Sequence, residues 1–260
     1  MHKVLFDQLV QVVATLRSED GCPWDREQTH ETLKSDLIEE TYEVIEAIDA
    51  RDADKLREEL GDLLMQVMLH GQIAKDQGDF SINEVVRSIT DKLIRRHPHV
   101  FGDVNVNGTE EVLQNWEAIK RSEAGYEDRQ FVLDGVPEHL PSLLRAQKIQ
   151  RKAARIGFDW DTVSDVLPKI EEEIEEVKVS LAEADAEEIE MEIGDLLFSV
   201  VNLCRFVNVQ AEEALRKANR KFIGRFQQME SEIEKRGKTF EDYDLAGLDR
   251  IWEEAKSKEK

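Results

Sequence analysis

The sequence predicts an all-α protein of two homologous helical domains, and three observations carry that expectation. Gly contributes 13 and Pro 5 of 260 residues, well under the roughly 12% that the two supply in average proteins. Apolar residues recur at helical spacing along most of the chain. And one long acidic segment occurs twice, with its charges in the same places.

The elements follow in order. The N-terminal stretch MHKVLFDQLVQVVATLRSED sets Leu5, Leu9, Val12, Val13 and Leu16 on one helical face, a pattern foreign to both signal peptides and spanning segments. Residues 37–68 then form a helical hairpin. Leu37, Thr41, Val44, Ile45 and Ile48 make one apolar stripe, and Leu56, Leu60, Leu63, Leu64 and Val67 the next. The DARDAD run at 49–54 links them, with Asp52 or Asp54 placed to cap the second helix. His97-Pro98-His99-Val100-Phe101-Gly102 through Gly108 is irregular and closes the first copy. Residues 122–141 hold Gly125, Gly135, Pro137 and Pro141 and read as a linker. Residues 170–201 repeat the hairpin of 37–68, with Asp185 and Glu188 in capping-box spacing at its turn. The expected domains are 1–121 and 142–260, joined by 122–141. An isolated hairpin cannot bury both sides of its stripes, so each is expected to complete a bundle with another hairpin.

Charge narrows the function. Asp and Glu number 57 against 35 Lys and Arg, a formal −22. Such an excess excludes a protein that binds nucleic acid by clustered phosphate contacts and a basic membrane-surface helix. The longest apolar run, Leu196–Cys204, is interrupted by Ser199 and Asn202 and is too short to span a bilayer. Two distant cysteines, Cys22 and Cys204, make neither a disulfide scaffold nor a thiolate zinc site and fit a reducing cytoplasm.

The repeated acids carry the chemistry. Glu40, Glu43, Glu59 and Asp62 recur as Glu173, Glu176, Glu192 and Asp195, each pair 133 positions apart. Glu40 and Glu43 are one helical turn apart, as are Glu59 and Asp62, so each pair shares a face beside its helix's apolar stripe. Packed antiparallel, the two helices bring four carboxylates together at the core edge. They repel one another and resist desolvation unless a cation joins them. All-oxygen ligands favour Mg²⁺, Mn²⁺ or Ca²⁺ over zinc, and the repeated acid pairs contain no Glu-x-x-His, which argues against a ferritin-like di-iron bundle. A lone Glu-x-x-Glu in so acidic a chain is usually a solvated helix face. Two facing pairs, repeated with their apolar flanks, are not.

These residues resemble the MazG family of all-α nucleoside triphosphate pyrophosphohydrolases, in its tandem two-domain form. Glu39-Glu40-x-x-Glu43 with Glu59-x-x-Asp62, and Glu172-Glu173-x-x-Glu176 with Glu192-x-x-Asp195, match its EExxE…ExxD signature. The flanks GCPWDREQT (21–29), RRHPHVF (95–101), LPSLLRAQKIQRKAARIGFDW (140–160) and EIGDLLF (192–198) agree, so the resemblance covers nearly the whole chain.

The resemblance implies Mg²⁺-dependent hydrolysis between the α and β phosphates, with Mn²⁺ as a substitute, by metal-activated water. It implies that Glu173, Glu176, Glu192 and Asp195 hold the metal, with Glu40, Glu43, Glu59 and Asp62 in the first copy. Glu172, or Glu39, is placed to orient or deprotonate water. Lys169, Lys221 and Arg225 are implied to bind the triphosphate, and Trp252 to contact the nucleotide. Lys92, Arg96 and Trp116 are the first copy's counterparts of the last three. Lys169 falls on Asp36, so the C-terminal copy is the expected catalyst. The family also implies a homodimer with like domains paired, broad base tolerance, and a role in nucleotide-pool control or cleansing. The rivals are a narrower deoxynucleotide pyrophosphatase and a non-catalytic, metal-binding helical interaction protein. Trp24 and Trp160 are expected to pack, and Cys22, His97 and His99 to serve loop structure.

Overall fold

The computed structural model describes residues 2–121, 123 and 131–257, and among them every regular element is a helix. The chain divides into two compact units, Met1–Tyr126 and Glu127–Lys260. Unit 1 holds α1 (His2–Leu16), α2 (Pro23–Glu27), α3 (Lys34–Ala50), α4 (Ala53–Gln77), α5 (Ile82–Arg96), α6 (Pro98–Phe101) and α7 (Thr109–Arg121). Unit 2 holds α8 (Ser142–Ala154), α9 (Val163–Glu183), α10 (Ala186–Phe206), α11 (Ala211–Lys235), a 3₁₀ turn at 240–242 and α12 (Leu245–Ser257). Of the stretch read as a linker, residue 122 and residues 124–130, Gly125 included, lie outside the described residues. Its later part is held against α8, where Lys152 Nζ donates to the carbonyls of Val132 and Asp134 at 3.2 and 2.6 Å.

Each unit is organised around one antiparallel hairpin, α3 with α4 and α9 with α10. The two hairpin turns are the same device. α3 ends on Arg51 and α9 on Ala184, both left-handed, with φ 55° and 56°. The residue after each caps the next helix. Asp52 accepts the amides of Asp54 and Lys55, both at 3.0 Å. Asp185 accepts those of Glu187 and Glu188 at 3.0 and 3.3 Å. So Asp52 rather than Asp54 caps α4. Asp185 caps α10 with its own side chain, while reciprocal capping boxes form at Ser81–Glu84, Thr162–Asp165 and Thr239–Asp242. The tight turn matters because it fixes the register of the facing helices, and hence of their acids.

α1 and α5 pack on α4, building a core of Val13, Leu33, Met68, Leu69, Ile73 and Ile82. In unit 2, α8 lies on α10 and α11, and α12 on α11. Gln147 anchors α8. It is 1% exposed, donates to Val209 O at 2.6 Å and accepts the Ala211 amide at 3.1 Å. Met229, Ile233 and Ile251 fill the α11–α12 contact.

The stripes bury less than their pattern suggests. Leu60, Leu64 and Val67 on α4, and their counterparts Ile193, Leu197 and Val200 on α10, stay between 40% and 51% exposed. What α4 buries is a neighbouring face containing Glu59, Gln66, Met68, Leu69, Ile73 and Ala74. Each hairpin therefore has two apolar faces, and its own unit covers one.

A left-handed Ala pays a Cβ–carbonyl clash of about 1–2 kcal/mol that Gly avoids. Replacing Ala184 by Gly should thus raise stability by about 0.5–1 kcal/mol, net of Gly's greater freedom when unfolded. Chemical denaturation would measure it, and a lower midpoint in the variant would contradict the turn geometry.

Candidate metal centre and adjoining cleft

The turn register places the acids as a convergent group in both units. Carboxylate oxygens of Glu40, Glu43 and Glu59 lie within 4.8 Å of one another, as do those of Glu173, Glu192 and Asp195. The fourth acid of each set stands beside the triplet. Asp62 raises the proton affinity of both Glu40 and Glu59, and Glu176 is itself raised by Glu173 and Glu192. In Glu40, Glu59 and Glu176 alike, burial is the larger cause of the upward shift and the neighbouring carboxylates add to it. The adjacent Gln66 amide offsets part of the rise at Glu40. Glu59 and Glu173 are buried, while the rest of each triplet reaches the surface. Oxygen-only donors, converging and undercompensated, suit a hard divalent cation.

One cation stands at the C-terminal group. Lys169, a turn before Glu173 on α9, bonds Glu173 at 2.7 Å and Glu172 at 2.9 Å. Both carboxylates hold its ammonium protonated well above the usual lysine range. Lys169 and Glu173 also border a cleft of about 570 Å³. Phe158, Trp160 and Phe198 form part of its apolar walls, and Gln150, Ser199 and Asn202 are polar residues of its lining. Arg205 closes one side. Its Nη1 donates to Asp159 at 2.8 Å, its Nη2 to the other Asp159 oxygen, and its Nε to Asn202 Oδ1 at 3.0 Å.

The remaining substrate-binding candidates lie elsewhere. Lys221 and Arg225 are on α11 and Trp252 on α12, and none of them borders the cleft. The Arg225 guanidinium sits 6.0 Å from the centroid of Trp252, whose ring meets Phe222 at 5.0 Å. Unit 1 repeats the motif, with Arg96 5.1 Å from the Trp116 centroid. There Arg96 and Arg95 also hold Glu123, and this pairing, Arg96 foremost, keeps the Glu123 carboxyl at about 2. Trp24 and Trp160, expected to pack, are 57% and 42% exposed. Both follow a Gly-containing bend after their unit's first helix, which carries them out of the core. His97 does serve local structure, its Nδ1 lying 2.7 Å from Leu93 O. Cys22 and Cys204 are free thiols.

Sequence reasoning missed the polar lining of the cleft. Its signal was present: Ser199 and Asn202 are the residues that interrupt the apolar run of α10, and each is nearly buried.

A family model of the MazG nucleotide pyrophosphohydrolase domain matches residues 28–101 and again 161–229. The chain is 49% identical over 253 residues to the nucleoside triphosphate pyrophosphohydrolase/pyrophosphatase MazG of Thermotoga maritima, covering 97% of this chain and 96% of that protein. It is 45% identical over 256 residues to the nucleoside triphosphate pyrophosphohydrolase of Escherichia coli K12, covering 97% of each. A third relative, protein YabN of Bacillus subtilis, is 45% identical over 256 residues but only 52% of its length is matched. Among the described residues no helix is long and apolar enough to cross a membrane.

A carboxyl whose folded-state pKa is raised binds its proton more tightly folded than unfolded. The folded state therefore loses relative stability as pH climbs from the ordinary value, 4.5 for Glu59, through the raised one. In EDTA, Glu59→Gln should match the parent near pH 4 and melt higher than it near pH 7. Saturating divalent cation should cancel that gain. A difference independent of pH would show that the acids do not strain the fold.

Proposed function

The chain belongs to the MazG nucleotide pyrophosphohydrolase family, and from that premise we propose that it hydrolyses nucleoside triphosphates to the monophosphate and pyrophosphate. The observation that carries this reading is the apolar-walled cleft opening onto the C-terminal carboxylates, with Lys169 at the junction. An aromatic-lined cavity suits a nucleoside, and a charged rim suits its phosphates.

Glu173, Glu192 and Asp195, with Glu176 beside them, would hold Mg²⁺, and Glu40, Glu43, Glu59 and Asp62 a second ion in the other copy. The cation supplies charge neutralisation at the phosphates and a more acidic water. The chain's own groups do the rest. Lys169 draws the triphosphate toward the acids and compensates its charge. Glu172, outside the converging triplet, accepts the proton of the attacking water. That water's oxygen bonds to the α-phosphorus, the α–β bridging P–O bond breaks, and pyrophosphate leaves with the bridging oxygen. Catalysis is positioning and charge compensation, with no covalent intermediate.

Lys221, Arg225 and Trp252 complete the site in a homodimer. Two facts support this. They stand apart from the cleft, and the exposed stripes Leu60/Leu64/Val67 and Ile193/Leu197/Val200 offer equivalent surfaces on both hairpins. Pairing like hairpins would bury them as four-helix bundles. We assign the enzyme broad base tolerance, a role in nucleotide-pool cleansing and, from its free thiols, a cytoplasmic setting.

Incubation with the four ribonucleotides and their deoxy forms, with Mg²⁺ or EDTA, tests the reaction. Monophosphate plus pyrophosphate is expected for all, and EDTA should abolish it. Diphosphate plus phosphate would place the attack at another phosphorus. Glu192→Ala should lower kcat/KM by at least about 100-fold with helicity retained, since a ligand outweighs the outer partners whose loss costs about 10–100-fold. Full activity in that variant would move catalysis to the N-terminal acids. Lys221→Ala should raise KM for triphosphates with metal affinity unchanged. In sedimentation, the parent should run as a dimer and Leu197→Arg as a monomer; a monomeric parent would remove the dimer from the mechanism.

A further inference from the structure

A cation-over-tryptophan pair occurs in each unit, and in unit 1 it is already engaged by an acid of the same chain. A separation of 129 aligns Lys92 with Lys221 and Arg96 with Arg225, and one of 136 aligns Trp116 with Trp252. Lys221, Arg225 and Trp252 are the groups proposed above to meet the substrate. Lys92, Arg96 and Trp116 are therefore their equivalents in unit 1.

Glu123 lies against that group. Arg96 donates from Nε to its Oε1 at 3.0 Å and from Nη2 to its Oε2, a two-pronged contact that uses both carboxylate oxygens. Arg95 joins from the neighbouring position, its Nε and Nη2 donating to Oε1 at 3.0 and 2.7 Å. Arg96 and Lys120 stand 5.1 and 5.5 Å from the centroid of the Trp116 ring. The side chains of Glu123 and Arg96 are only 13% and 14% exposed, so salt screens this pair less than an ordinary surface one. Arginine meets carboxylate and phosphate with the same planar fork. What Glu123 occupies is thus a phosphate-type site.

The contact also fastens the end of α7 to α5, but a fastening needs one arginine. The second is peculiar to unit 1: Arg95 aligns with Gly224, which has no side chain to offer. Glu259 stands 136 positions from Glu123 and lies outside the described residues. Unit 1 therefore holds its own carboxylate with a guanidinium that unit 2 lacks at the matching position. Beside the acids it has Asp36 where unit 2 has Lys169. Both differences oppose an incoming triphosphate, one by removing a cation and the other by engaging one. Pairing, with Arg96 foremost, keeps the Glu123 carboxyl at about 2, so it is charged throughout the neutral range. Only a competing anion can vacate the fork there.

We infer that Glu123 is a tethered competitor of the substrate in the N-terminal copy: its carboxylate takes the guanidinium fork that a triphosphate would use, and substrate enters by displacing it. This rests on the proposed activity and on the match of Arg96 with Arg225. An anion carried on the same chain competes at a fixed, high effective concentration, whereas free nucleotide competes only as its own concentration rises. A fork open in about one molecule in ten lowers the apparent affinity for triphosphate about tenfold. The N-terminal copy is thereby reserved for high triphosphate concentrations, while the C-terminal copy works throughout.

Calorimetric titration of the full chain with inorganic tripolyphosphate and Mg²⁺ tests this without turnover. In an Arg225→Ala background, which weakens the unit 2 contact, Glu123→Gln should tighten binding about tenfold. Adding Arg96→Ala should remove the gain. Equal affinity with Glu or Gln at 123, or a gain that survives Arg96→Ala, overturns the inference. Hydrogen exchange on the unaltered protein gives a second answer that does not depend on how the variants fold. Tripolyphosphate well above the Kd of the Arg225→Ala chain should speed exchange at 117–121, because the end of α7 loses its hold on α5. Unchanged or slower exchange there would make Glu123 a fastening and nothing more. Product analysis of the parent judges the activity separately, so the two readings can fail apart.

Discussion

Mutual repulsion among carboxylates at the edge of an apolar hairpin is the constraint on which the rest of this structure depends. Three oxygens from three side chains converge within 4.8 Å in each unit. No folding free energy is gained by that convergence, since burial and like charge both push Glu40, Glu59 and Glu176 toward their protonated forms. The arrangement persists because the hairpin dictates it. Once a left-handed residue and an Asp cap close the turn, facing positions on the two helices have no choice of partner. The acids are held by a scaffold whose stability comes from elsewhere: from Val13, Leu33 and Leu69 in unit 1, from Gln147 and the α11–α12 contact in unit 2. A divalent cation bound there would relieve that repulsion.

Duplication has let the two copies diverge around that shared constraint. The turn, the acids and the cation-over-tryptophan pair are kept in both, as Arg96 with Trp116 and Arg225 with Trp252. Lys169 stands where unit 1 has Asp36 and bonds Glu173 directly, whereas in unit 1 Lys55 of α4 bonds Glu46 and acts on Glu59 and Glu43 only through its field. The cavity differs in the same direction. Leu69 lies in the core with Val13, whereas Asn202 borders the cleft. A direct lysine–glutamate pair and a cavity beside the acids occur together in the C-terminal copy.

Much of this was legible in the sequence because it follows from local rules. Helical period gave the elements, the 133-residue spacing gave the repeat, and the i, i+3 acids gave the converging faces. What the pattern could not show was how much of each stripe a single chain covers. Leu60, Leu64 and Val67 look like core by spacing, but α4 turns its Glu59–Gln66–Met68 side inward, because α1 and α5 approach from there. Trp24 and Trp160 misled for a related reason: an aromatic after a bend is placed by the bend, and no periodicity applies to it. The cleft itself was hidden because cavities are properties of three or four elements at once. Its residues Gln150, Trp160 and Asn202 come from α8, the loop before α9, and α10.

The polar residues of α10 show how the two kinds of information combine. In sequence, Ser199 and Asn202 only weaken an apolar run and argue against a membrane span. In the folded unit they are among its few nearly buried polar side chains, and Asn202 is tied to Arg205, which is itself fixed by Asp159. The amide oxygen is thus held by one fixed partner in a residue that borders the cleft. A helix that needed only to pack would carry Leu there, as α4 does at Leu69. Asp195 stands about two turns before Asn202 on the same helix, so α10 brings an acid and an amide to one cleft.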